Sequence, residues 1–90
     1  MHRRAALTAR EWFELLSAVA QVPRGATQRL VAQRLGVTKV EARQRLRSAV
    51  TAGLVVENVH HSSAEPGRRV FSLRHPEGVQ ALELLKAAHR

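Results

Sequence analysis

The chain has 90 residues, of which 15 are Lys or Arg and 7 are acids, giving a formal net charge of +8. That length supports one small core without a deep catalytic cleft, and that charge asks for a polyanionic partner, nucleic acid before anionic membrane. Cysteine, aspartate and tyrosine are absent, which excludes disulfides, zinc fingers, thiol chemistry and Asp-containing triads.

Residues 1–7 read as a basic N-terminal arm and residues 8–90 as one domain. Thr8-Ala9-Arg10-Glu11 matches a capping box, in which hydroxyl and carboxylate each satisfy the other's backbone N–H. Trp12, Leu15, Leu16 and Val19 follow at helical spacing as far as Gln21, with Trp12 and Phe13 expected as the main core contribution. Pro23 ends that helix, and Pro23-Arg24-Gly25-Ala26 reads as a loop.

Thr27 caps a short second helix with Leu30, Val31 and Leu35 as its apolar stripe, and Gly36 ends it. Thr38-Lys39-Val40-Glu41 is a second capping box, opening a helix over 38–52 whose inward positions are Ala42, Leu46, Ala49 and Val50. Beyond Gly53, the β-branched run Leu54–Val59 predicts a strand, and Arg69–Leu73 predicts its return. Between them lies a polar stretch containing Pro66-Gly67. His75-Pro76-Glu77 then starts a last helix, with Pro at its first position, running to about Ala88.

The predicted fold is therefore mostly α with a small β-hairpin, in the order α-α-α-β-β-α of a winged helix-turn-helix. Two helices crossing steeply need a small residue at the crossing and a Gly at the bend, and Ala32 and Gly36 stand there, with Val37 plugging the angle. The second helix of such a pair protrudes and can enter a major groove.

Val31-Ala32-Gln33-Arg34-Leu35-Gly36-Val37-Thr38 and Ala52-Gly53-Leu54-Val55 resemble the helix-turn-helix of MarR-type transcriptional regulators, including the spacing from Gly36 to Gly53. Arg68-Arg69-Val70-Phe71-Ser72-Leu73-Arg74-His75-Pro76-Glu77-Gly78 is similar to that family's wing return strand and the helix start after it. The resemblance spans residues 8–85. Two features depart from the family pattern. A short arm stands where the family has a long N-terminal dimerisation helix, and His60, His61, Ser62, Ser63 and Ala64 replace its acidic wing tip. PadR-like regulators and phage or plasmid repressors stay open as relatives.

On the third helix, Val40, Gln44, Arg47 and Thr51 form the side opposite Ala42, Leu46 and Ala49, flanked by Arg43. Gln44 suits an adenine edge, Val40 a thymine methyl, and Arg43 and Arg47 a guanine or a phosphate. Thr38 and Lys39 open this helix, while Thr27 and Arg29 open the second, where exposed N–H groups suit a phosphate. Arg68 and Arg69 sit on the wing, placed for a minor groove. Arg3 and Arg4 read equally as a minor-groove arm and as an unstructured terminus. Arg outnumbers Lys 13 to 2, a choice that a GC-rich genome explains, but such a bias does not explain the twofold excess of bases over acids.

His60-His61 has no Cys or Asp beside it, so a metal role is not expected, and neither is a cofactor. The last helix carries Ala81, Leu82, Leu84, Leu85 and Ala88, an arc wider than one core stripe, which predicts a homodimer contact through Leu82, Leu84 and Leu85. No apolar run approaches the ~20 residues of a membrane span, and Met1–Leu7 has no signal-peptide core, so a soluble cytoplasmic, nucleoid-associated protein is expected. The reading is a sequence-specific double-stranded DNA-binding regulator, a homodimeric repressor that performs no chemistry, with any small-molecule effector left open. Two alternatives stand beside it: a low-specificity architectural, replication or partition protein, and a winged-helix protein-interaction module.

Overall fold

Thr8 opens the first helix as its sequence predicts. In the computed structural model, which describes residues 6–60 and 67–89, its hydroxyl accepts the Glu11 N–H at 3.1 Å while Glu11 Oε1 accepts the Thr8 N–H at 2.9 Å. Helix α1 (Ala9–Ala20) is followed by α2 (Gln28–Leu35) and α3 (Lys39–Thr51), then strands β1 (Val55–His60) and β2 (Arg68–Leu73), and finally α4 (Glu77–Ala88). The order is α-α-α-β-β-α, that of a winged helix-turn-helix. Arg3, Arg4, His61 and the hairpin tip over 61–66 lie outside the described residues.

The bend between α2 and α3 depends on Gly36, whose φ of 67° and ψ of 34° place it in the left-handed region that a side chain disfavours. Its N–H and that of Val37 close onto the carbonyls of Gln33 and Ala32. Ala32 is buried where the two helices meet, and Val37 packs against the core beside it. Thr27 and Thr38 each cap the helix that follows, accepting the N–H three residues on at 3.1 Å.

The core gathers Leu15, Leu16 and Val19 of α1, Val31 of α2, Ala42, Leu46 and Ala49 of α3, Val55 and Phe71 of the hairpin, and Leu82 of α4. Three expectations need correction. Trp12 and Phe13 are half-buried, so the aliphatic residues of α1 supply its fully covered surface. Phe13 instead stacks on the ring of His89 at the end of α4, with centroids 4.9 Å apart. Val50 turns outward at 36% exposure, because the inward stripe of α3 closes with Ala49. Leu7, assigned to the arm, packs against the core.

The hairpin pairs Val55 with Leu73 through to His60 with Arg68 in antiparallel register. A further contact was not foreseen: Ala26, in the loop before α2, exchanges both backbone hydrogen bonds with Phe71, at 2.7 and 2.8 Å. This one-residue bridge ties the start of α2 to the hairpin and so fixes the wing against the helix pair. Pro76 lies at the cap of α4 rather than at its first helical position. Among the described residues no helix is long and apolar enough to cross a membrane.

Candidate nucleic-acid interface

The outer face of α3 follows from which of its residues the core takes. Ala42, Leu46 and Ala49 are buried, and at about 100° per residue Arg43 and Arg47 fall ~100–140° round the helix from Ala42. Both are exposed, and with Gln44 and Val40, itself 65% exposed, they line one shallow depression. An exposed valine between arginines offers apolar contact with no neighbour of its own to fill it.

Arg43 and Arg47 also reach a second space. Together with Gln28, Val50, Thr51, Glu57, Arg69 and Phe71 they line the cleft between α3 and the hairpin. The fold therefore brings α3 and the wing to one basic surface, with Arg43 and Arg47 at the edge shared by both. Among the described residues neither forms an ion pair. Arg69 differs, because its guanidinium meets the Glu57 carboxylate at 3.3 Å, diagonally across the strands. That pair holds the arginine over the cleft and offsets part of its charge. Arg68, one step nearer the hairpin tip, is exposed and does not line the cleft.

The starts of α2 and α3 lie side by side, since Gln28 Nε2 donates to the Lys39 carbonyl at 3.2 Å. Thr27 with Arg29 and Thr38 with Lys39 thus belong to one region, where two sets of helix-terminal N–H groups lie close together. Both threonine hydroxyls already accept cap hydrogen bonds.

Sequence reasoning missed Gln28 and Glu57, which need the tertiary arrangement to be seen. The remaining arginine of α3, Arg45, stands between Arg43 and Arg47 in sequence. The structure separates them: the Arg45 side chain is 11% exposed and meets Glu11 of α1 at 3.1 Å and Glu41 at 3.4 Å. The three leucines of α4 separate too. Leu82 is 4% exposed within this chain's own core, Leu85 is half-buried against it, and Leu84 is 73% exposed. Much of the apolar arc is therefore absorbed by the chain's own packing, and of the three leucines only Leu84 faces outward.

The chemistry available is that of a surface. Among the described residues no polar or charged side chain is buried as a whole, and no group of His, Cys, Asp and Glu is arranged to hold a metal ion.

The fold is the MarR-like winged helix. The structure matches the transcriptional regulator SlyA with a TM-score of 0.74, over 89% of this chain at 14% identity. It matches S. aureus MepR solved in complex with DNA at 0.71, over 87% of this chain at 18% identity. A mutant form of S. aureus MepR gives 0.71 over 87% at 20% identity. The chain spans 54% of the length of SlyA and 61% of that of MepR in the DNA complex. No family model and no curated protein matches the sequence.

Proposed function

We propose that this chain is a sequence-specific double-stranded DNA-binding regulator of transcription, acting as a homodimeric repressor in the cytoplasm, on the nucleoid, and catalysing no reaction. The observation that carries this reading is the convergence of Arg43 and Arg47, neither of them ion-paired among the described residues, with Val40 and Gln44 on the outer face of α3, next to Arg69 of the wing. A helix face of this kind suits a major groove, and a β-hairpin beside it reaches the flanking minor groove. The MepR relative in structure was solved with DNA, which supports the same use of the fold here. A winged helix serving only as a protein-interaction module has no need of a basic α3 surface.

In this reading Gln44 meets an adenine edge and Val40 a thymine methyl, while Arg43 and Arg47 take guanine or phosphate. Thr27, Arg29, Thr38 and Lys39 hold the backbone at the two helix starts, and Arg68 and Arg69 follow the wing strand. The test is a mobility shift against random duplexes with repeated selection of the bound fraction. A converging sequence is expected; binding without convergence indicates an architectural protein, and no binding at modest salt rejects the proposal.

Replacing Arg68 and Arg69 together by Ala is expected to weaken selected and random duplexes alike. The slope of log affinity against log salt should become shallower by about one unit per lost phosphate contact. An unchanged slope would place the wing away from DNA.

For the dimer, Leu84 is the contact that remains once Leu82 and Leu85 are assigned to the chain's own packing. A two-fold pair spaces the recognition helices about 34 Å apart, so the selected site should be an inverted repeat. Leu84→Glu is expected to leave the fold intact and give a monomer by sedimentation, with affinity falling toward that for a half-site. An unmutated chain that sediments as a monomer and selects an asymmetric site contradicts the dimer.

A further inference from the structure

The three arginines of α3 alternate in sequence but not in space. Arg45 lies ~160–200° round the helix from Arg43 and Arg47, on the side that α1 covers. Its Nη2 is shared between Glu11 Oε2 of α1 and Glu41 Oε1 of its own helix, and its Nε is buried with no hydrogen-bond partner. A guanidinium held this way, with the side chain 11% exposed, is turned toward α1 and not presented on the outer face of α3. The Glu11 carboxylate is divided as well: Oε1 accepts the Thr8 N–H in the capping box, and Oε2 takes Arg45. One carboxylate thus sets the first turn of α1 and ties it to the middle of α3.

The apolar contacts of α3 are small on two of their three positions, Ala42 and Ala49, with Leu46 between them. Methyl groups on a helix stripe resist separation from the core but resist rotation about the helix axis weakly, because they have little lever arm. An ion pair at the edge of that stripe supplies the missing constraint. We infer that Arg45 and Glu11 are positioning residues that fix the roll of α3, so that sequence discrimination by its outer face depends on two side chains that touch no base. The inference rests on the DNA-binding reading above. A base-edge hydrogen bond is lost by a small rotation, whereas a phosphate contact made by a long arginine adapts to it. Loosening the pair therefore lowers affinity for the selected site while leaving random-duplex binding and the salt slope in place.

Two variants of opposite charge separate this from general electrostatics. Arg45→Met keeps an unbranched apolar stem and lowers the net charge from +8 to +7, while Glu11→Gln raises it from +8 to +9. Gln preserves the capping box, and with its one oxygen on the Thr8 N–H it turns an NH₂ toward Arg45. Bulk charge predicts weaker DNA binding for the first and tighter binding for the second. The positioning role predicts that both lose affinity for the selected duplex, by about tenfold, a loss of the size of one mismatched base pair.

The measurement is fluorescence anisotropy on the selected and a random duplex at several salt concentrations, with a thermal melt of each protein as the folding control. The double variant should lose no more than the worse single one, because both remove the same interaction. Equal losses on the two duplexes with a shallower salt slope for Arg45→Met would make Arg45 a phosphate contact and overturn the inference. So would full discrimination retained by both variants, or by Glu11→Gln alone if Arg45→Met does not fold. Failure of the unmutated chain to bind any duplex removes the DNA-binding reading, and this inference with it.

Discussion

Gly78→Ala is expected to destabilise the fold, although the same change within a helix ordinarily stabilises it by about 1 kcal/mol. A Cβ at Gly78 would lie 2.1 Å from the Leu54 carbonyl oxygen and 3.4 Å from the Leu73 Cβ. The obstacle is backbone, and it is fixed from both sides: the Leu54 oxygen accepts the Arg74 N–H at 2.9 Å, and the Leu54 N–H donates to Ala49 at 3.0 Å. The first turn of α4 must therefore back away from the strand junction, carrying Leu82 partly out of the core. Overpacking of this kind costs about 1–3 kcal/mol or more. For a domain of this size, each kcal/mol lowers Tm by roughly 4–8 °C. Calorimetry of the two proteins checks it, and an unchanged or raised Tm would mean that α4 does not seat against Leu54.

Gln44→Ala and Arg47→Ala should each weaken binding to the selected duplex by about 1–3 kcal/mol, with a much smaller effect on random DNA. Neither side chain is needed by the core, since both are exposed, so the melting temperature should barely move. That combination, an unchanged fold with lost discrimination, separates a base-reading role from a structural one. Equal losses on both duplexes would demote the residue to a phosphate contact.

Most of the elements were legible because their starts and stops have local chemical causes. Thr8 and Glu11 cap reciprocally, Gly36 takes a left-handed conformation, and β-branched residues dominate Val55 to Val59. The outer stripe of α3 was legible for the same reason, as the complement of Ala42, Leu46 and Ala49. What escaped depends on contacts between distant segments. Long arginine stems lie over apolar surface while their heads find charge, so Arg45 is indistinguishable from Arg43 until Glu11 is seen beside it. The Glu57–Arg69 pair follows from strand register, and the Ala26–Phe71 bridge from a loop with no strand pattern of its own. On α4 the arc of leucines looked too wide for one chain because the sequence does not show how much of it α1 covers.

The proposed function puts the outer face of α3 in the major groove. The chain contains no cysteine, so a single introduced thiol can carry a short photo-crosslinker at a chosen position. Gln44→Cys, so labelled and bound to the selected duplex, is expected to attach to bases within the recognised sequence through their major-groove edges. Glu14→Cys, labelled in the same way on α1, is exposed and lines neither the depression on α3 nor the cleft beside the hairpin, and it is expected to attach to no base. Retained binding with no crosslink from position 44, or equal crosslinking from positions 44 and 14, would show that α3 does not enter the major groove.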